Sequence, residues 1–189
     1  KARYAMLRSA GLAFSVQDPM VDEAALMGKL KESFTPPELI ATALAQAKAM
    51  AVTHRHPEHL VIGADQVLYD QGKIFSKAAS AEEAAANLRR LQGRTHELIS
   101  AVCVSQQKKV VWSHVERAKL TMRPLDDAAI ADYCRLAGDA LTRSVGGYEL
   151  EGLGWWVVWR IEGDFFTILG LPLLPLQHFL RTQGYGAAS

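Results

Sequence analysis

Leu60-Val61-Ile62-Gly63-Ala64-Asp65-Gln66-Val67-Leu68-Tyr69 is the stretch on which the reading of this chain turns. It is an apolar run of strand length, broken by Gly63 and Asp65, and it has the pattern of a strand buried on both faces. A helix is expected before it. Thr35-Pro36-Pro37-Glu38 combines a hydroxyl cap, a first-turn proline and an acid three residues after the threonine. Leu39, Ile40, Ala43, Leu44 and Ala47 then recur at helical spacing, so the helix is predicted to run from 35 to about 54. After the strand, Gln71-Gly72 turns the chain into a short second strand near Ile74 and Phe75. Ser80 and Glu83 form a second capping box, opening a helix through Ala84, Leu88 and Leu91 that Gly93 ends.

Further out, residues 97–105 and 110–122 read as a hairpin around 106–109, followed by a helix over 124–136. Gly146, Gly147, Gly152 and Gly154 mark a flexible loop before a strand over 155–161, and 173–181 is a closing helix. On the N-terminal side a helix is expected over 4–11, a short strand over 14–16 and a mobile segment over 28–33. The tail from Gly184 is expected to fray. Helices alternating with hairpins give an α/β fold whose sheet is mixed, not purely parallel.

A chain of 189 residues, 49% hydrophobic, can bury a core as one domain, or as two small lobes sharing it. Lys and Arg number 21 against 20 Asp and Glu, for a net charge of +1. That balance argues against a nucleic-acid polymer or a membrane surface as partner, yet leaves room for a local basic cleft. Cys103 and Cys134 are far apart, so neither a disulfide framework nor a zinc ribbon is expected. The charge-free run 165–176 holds Pro172 and Pro175 and is too short to span a bilayer, and no signal peptide is visible. The expected location is the cytoplasm. The chain starts at Lys1 in what reads as mid-motif, so further residues are expected upstream.

No P-loop, dinucleotide fingerprint, HExxH or GxSxG occurs. The most informative polar residue is Asp65, because a carboxylate inside an apolar strand is costly unless paired, hydrogen-bonded or metal-bound. It is either a general base or metal ligand, or a carboxylate that pairs structurally. Gly63 beside it would let a ligand approach the backbone. Lys48, flanked by Ala47 and Ala49, together with Lys77 and Arg3, could neutralise a phosphate chain, although any one of them taken singly fits a solvated side chain. Asp22 and Glu23 offer hard oxygen ligands for Mg²⁺ or Mn²⁺, or form an exposed acidic turn. His54, His56 and His59 fit a helix C-terminus better than a metal site. His96 suits a hydrogen-bonding strand end. Trp155, Trp156 and Trp159 suit core and edge packing, and Glu149 or Glu151 could pair with a guanine edge or be a solvated loop acid.

Taken in order, these segments resemble the Maf family of nucleoside triphosphate pyrophosphatases over nearly the whole chain. The resemblance is carried by Lys1-Ala2-Arg3, Val21-Asp22-Glu23, Ala47-Lys48-Ala49 and Ile62-Gly63-Ala64-Asp65-Gln66-Val67. Ser76-Lys77, Leu91-Gln92-Gly93-Arg94-Thr95-His96, Gly147-Tyr148-Glu149-Leu150-Glu151-Gly152 and Gly170-Leu171-Pro172-Leu173 continue it. It implies one domain over 1–189, an elongated mixed sheet flanked by helices, and two lobes around a cleft. It implies hydrolysis of a nucleoside triphosphate to the monophosphate and pyrophosphate with Mg²⁺ or Mn²⁺, and a homodimer. Asp65 then matches the catalytic aspartate, with Lys48 and Lys77 beside it. Arg3, His96 and Glu151 bind substrate, and Glu23 and Asp65 hold the metal. The chain departs from the family pattern at Ala78 after Lys77, where proline is usual, and at Ala2. Gln66 and Glu151 look closer to the 7-methyl-GTP branch, so a purine or otherwise non-standard or modified nucleotide is the expected substrate. A nucleotide-binding regulator of septum formation and an inosine-triphosphate-type pyrophosphatase are the alternatives.

Overall fold

The computed structural model describes residues 1–33 and 35–186. Eight helices and five strands alternate along the described residues, and the expected α/β class holds. The strands form one sheet in the order β2-β1-β3-β4-β5: β1 is Val61–Asp70, β2 Lys73–Phe75, β3 Thr95–Gln106, β4 Lys109–Met122 and β5 Val158–Glu162. At the two edges the pairing is antiparallel, Tyr69 facing Ile74 and Leu120 facing Ile161. The chain divides into two compact units.

The first unit comprises Lys1–Gln66, Ile99–Glu116 and Phe165–Ser189. It holds α1 (Ala2–Ser9), α2 (Glu23–Glu32), α3 (Pro37–Arg55), α7 (Phe165–Ile168) and α8 (Leu173–Thr182). Met6 and Leu7 of α1, Ala64 of β1, Val102 and Val104 of β3 and Leu173, Leu176 and Leu180 of α8 share one core. Helix α3 turns Ala41, Ala45 and Ala49 inward at four-residue spacing, and this small-residue stripe lets it lie unusually close to its neighbour. A Cβ on Gly63 would stand 2.5 Å from the Ala45 carbonyl oxygen and 2.6 Å from the Ala49 nitrogen. The missing side chain is therefore what seats α3 against β1, and α3 takes up the space beside Gly63.

The second unit comprises Val67–Leu98 and Arg117–Asp164. Its helices are α4 (Ala81–Leu91), α5 (Asp127–Ala137) and α6 (Ala140–Arg143), with a 3-10 turn over Leu153–Trp156. Ser80 caps α4 by accepting from the Glu83 N–H at 3.2 Å, and Glu83 reaches back to accept from the Ala79 N–H at 2.7 Å. Ala84, Leu88 and Leu91 form the buried stripe of α4, which packs on α5.

Several expectations are corrected. Residues 14–16 form no strand; Phe14 instead packs edge-on against Tyr4, with ring centroids 5.3 Å apart. Residues 28–32, expected to be mobile, lie within α2, which runs through Gly28 because Asp22 caps it by accepting from the Ala25 N–H at 2.9 Å. The cap of α3 falls on Pro36, one residue past Thr35. Trp155 and Trp156 belong to the 3-10 turn and the last strand starts at Val158. The three tryptophans are exposed and lie outside the core: Trp155 and Trp156 stack on each other at 4.2 Å, and Arg123 lies over Trp159 on edge strand β5. No helix of the described residues is long and apolar enough to cross a membrane.

Candidate active site

Alternation along β1 sends successive side chains to opposite faces. Gly63 and Asp65 face α3. With the helix seated on Gly63, Lys48, one residue before Ala49, is brought to Asp65: its Nζ donates to Asp65 Oδ1 at 2.6 Å. The same ammonium lies 2.8 Å from Glu23 Oε2, at the start of α2. Adjacent acids thus divide their work, Asp22 capping the helix and Glu23 reaching Lys48. Only 15% of the Lys48 side chain and 11% of that of Asp65 are exposed, against 51% for Glu23. The pair is sheltered enough for its charges to interact strongly, with the outer carboxylate left open to solvent.

Arg3, on α1, completes the group. Its Nε donates to the Gly170 carbonyl at 2.8 Å. Burial lowers its pKa, while the negative charges of Asp65 and Glu23 oppose that shift. A guanidinium keeps its proton under such conditions. Two cations and two carboxylates therefore share one locality. Beside them opens a pocket of about 190 Å³, lined by Arg3, Gln17, Pro19, Lys48, Gly63 and Leu171 among others. The irregular segment carrying Gln17 and Pro19 is held by Arg55, whose guanidinium donates to the Asp18 carbonyl.

On the other face of β1, Gln66 forms an anchor that sequence reasoning missed. Its Nε2 lies 2.9 Å from Ser100 Oγ, 3.0 Å from the Thr167 carbonyl and 2.9 Å from that of Ile168. Two N–H bonds are shared among three acceptors. Ser100 Oγ itself donates to the Thr167 carbonyl at 2.7 Å, and Thr167 Oγ1 donates to Glu116 at 2.6 Å. This network fixes the segment that leads to Gly170, the acceptor for Arg3. Gly170 has φ +93°, and an added Cβ would lie 3.2 Å from Arg3 Nη2. The sequence hint was the Gly170-Leu171-Pro172-Leu173 motif, which offered no sign of its partner 167 residues away.

Of the residues singled out from sequence, Arg3, Glu23, Lys48 and Asp65 are brought together in the first unit. Lys77, His96 and Glu151 belong to the second. Lys77 is exposed after β2, and Glu151 is exposed in the turn before the 3-10 segment. His96 is buried near the start of β3, with its Nε2 2.5 Å from the Tyr148 hydroxyl, and burial lowers its pKa to about 4. The Tyr148 ring fits because Gly146 lacks a Cβ, which would meet it at 2.4 Å. Glu149 of the same loop forms a two-pronged pair with Arg143 at 3.1 and 3.2 Å.

The family model described as Maf-like protein matches residues 1–183. The chain belongs to the Maf family. It is 50% identical to the Caulobacter vibrioides protein named nucleoside triphosphate pyrophosphatase, a match over 97% of this chain and 92% of that protein. A Paramagnetospirillum magneticum protein of the same name is 46% identical, with 97% and 94% covered. The Rhizobium meliloti protein named 7-methyl-GTP pyrophosphatase is 44% identical, with 96% and 92% covered. This Maf chain is thus an enzyme by kinship, as its motifs led one to expect.

Proposed function

We propose that this Maf chain hydrolyses a nucleoside triphosphate to the monophosphate and pyrophosphate, with a divalent cation and on a non-standard or modified nucleotide of the cytoplasmic pool. The observation that carries the reading is the Lys48 ammonium between Asp65 and Glu23, with Arg3 beside it at a pocket. A purely structural ion pair needs one carboxylate; here two converge on one point. Oxygen donors of this kind suit Mg²⁺ or Mn²⁺, so the residues fit the cation that the resemblance implies. Asp65 and Glu23 would hold it, and when bound it neutralises phosphate charge and polarises the phosphoryl group.

The side chains supply the remaining work. Arg3 and Lys48 bind phosphate oxygens, held ready by Gly170 and by the α3–β1 contact. Asp65 orients a water and takes its proton as the water oxygen attacks the α-phosphorus. The bond to the bridging oxygen breaks and pyrophosphate leaves. Lys77 is assigned to the phosphates, and His96 and Glu151 to substrate binding, on the strength of their motifs; Glu151 accepts from the base edge. A 7-methylated guanine is the favoured base, supported by Gln66, Glu151 and the name of the Rhizobium meliloti relative.

The test is a panel of UTP, dTTP, ITP, GTP and 7-methyl-GTP with Mg²⁺ or Mn²⁺, using Asp65→Asn as control. Release of pyrophosphate and monophosphate by the wild type alone supports the reading. Nucleotide binding without turnover would replace it with the regulator. Glu151→Gln is expected to change base preference more than rate, and an unchanged preference removes Glu151 from base recognition.

A further inference from the structure

The turn that joins α3 to β1 carries His56-Pro57-Glu58-His59, a cluster with no part in the chemistry above. A ring nitrogen of His56, a ring nitrogen of His59 and a carboxylate oxygen of Glu58 all lie within 4.8 Å of one another. Among the described residues these are the only three His, Cys, Asp or Glu side chains that converge in this way. We propose that His56, Glu58 and His59 form a second metal site, for a borderline ion of the Zn²⁺ class.

Three observations support it. The first is backbone order. The His56 N–H still bonds to the Val52 carbonyl at the end of α3, the His59 N–H bonds to the His56 carbonyl at 3.2 Å, and the Pro57 carbonyl accepts from the Gln107 N–H at 3.0 Å. The turn is fastened at its entry, across itself and to the β3–β4 turn, and Pro57 fixes one torsion besides. The second is geometry. Bonds of about 2.0–2.1 Å in a tetrahedral shell set ligand atoms roughly 3.3 Å apart, a spacing that rotation of the exposed Glu58 and His59 side chains toward the half-buried His56 ring reaches without moving the backbone. The His56 and His59 rings already stand at 87° with centroids 6.0 Å apart, and Glu58 Oε1 lies 2.6 Å from His59 Nδ1. The third is donor type. Two imidazoles and one carboxylate select Zn²⁺, Ni²⁺, Co²⁺ or Cu²⁺ over Mg²⁺ or Mn²⁺, which prefer the oxygen donors of Glu23 and Asp65. His54 stands apart, since its Nδ1 is 2.7 Å from the Met50 carbonyl, as a helix C-terminal histidine should be.

The site bridges the end of the helix that carries Lys48 and the start of the strand that carries Asp65. A bound ion would tie this connection and raise thermal stability without entering the reaction. The experiment is calorimetric titration of the chelator-stripped full chain with Zn²⁺ in millimolar Mg²⁺, beside the same titration of variants. One Zn²⁺ per chain is expected, weakened at least about 10-fold by His56→Ala or His59→Ala and unchanged by His54→Ala or Glu23→Gln. Co²⁺ in place of Zn²⁺ should give the visible absorption of a tetrahedral site, lost in the same two variants. Uptake that survives the His56→Ala/His59→Ala double substitution, or that disappears in Glu23→Gln, would overturn the proposal. So would an absence of uptake. None of these readouts depends on turnover, so the proposal stands or falls apart from the pyrophosphatase reading.

Discussion

Gly63→Ala probes the contact on which the site rests. The new methyl would meet the Ala45 oxygen at 2.5 Å and the Ala49 nitrogen at 2.6 Å, both backbone atoms of a 19-residue helix. Ordinary contact begins at 3.4 Å, so α3 and β1 must separate by about 0.9 Å in a close-packed interior. Overpacking of this kind costs roughly 1–3 kcal/mol, which lowers the Tm of a chain this size by roughly 2–12 °C. Lys48 travels with the helix. Its 2.6 Å bond to Asp65 would stretch to the edge of hydrogen-bond range, and a misplacement of about 1 Å can cost on the order of 100-fold in rate. Scanning calorimetry and a pyrophosphate-release assay with separate kcat and KM are the measurements. Lower Tm and lower kcat together are the expected result. A variant with wild-type Tm and a raised KM would mean that Gly63 makes room for ligand and does not seat the helix. A wild-type variant in every respect would refute the packing argument altogether.

Lys48→Met leaves Asp65 and Glu23 facing each other without their shared cation. A double-mutant cycle with Asp65→Asn, read by urea unfolding, should return a coupling energy of about 0.5–3 kcal/mol. Gln66→Leu strips a donor from the Thr167 and Ile168 carbonyls and should cost about 1–3 kcal/mol. Turnover measured well below its Tm should fall as well, because Gly170 is no longer fixed against Arg3. His96 is buried neutral with a pKa of about 4, against 6.5 in the unfolded chain. The unfolded state therefore takes up a proton as pH falls below 6.5 while the folded state does not, and stability is lost between about pH 6.5 and 4. Urea unfolding should lose about 2 kcal/mol more between pH 7 and pH 5 in the wild type than in His96→Gln, and equal losses would remove His96 as the cause.

Local signals were legible and long-range ones were not. The capping pair at Ser80 and Glu83 behaved as its spacing implies because both bonds close within one turn of chain. Asp65 stood out because a charge in an apolar run requires a partner, and Lys48 because its neighbours are small. Gly28 misled: a lone glycine lowers helix propensity, yet the Asp22 cap outweighs it. Residues 14–16 had the composition of a strand, but Phe14 packs against Tyr4 and the first unit's core instead of joining the sheet. Gly63 advertised room for a ligand and does line the pocket, but its missing side chain also seats a helix whose alanine stripe is unremarkable as text. The Gln66 anchor and the Gly170 carbonyl depend on partners 34 to 167 residues away, which no window of sequence contains.

The adjacency of Asp65 and Gln66 also protects the strand against misassembly. A slip of β1 by one residue would exchange the two side chains between faces. A slip one way would press the Asp65 anion against the carbonyl oxygens of Thr167 and Ile168 and leave Ala64 beside the Lys48 ammonium, and a slip the other way would leave the uncharged Gln66 amide to answer that ammonium. Both mismatches carry an electrostatic penalty, one repulsive and one of lost attraction. Two neighbouring letters thus act as a checksum on strand alignment: the arrangement that assembles the ion-paired face is the same one that satisfies the supporting face.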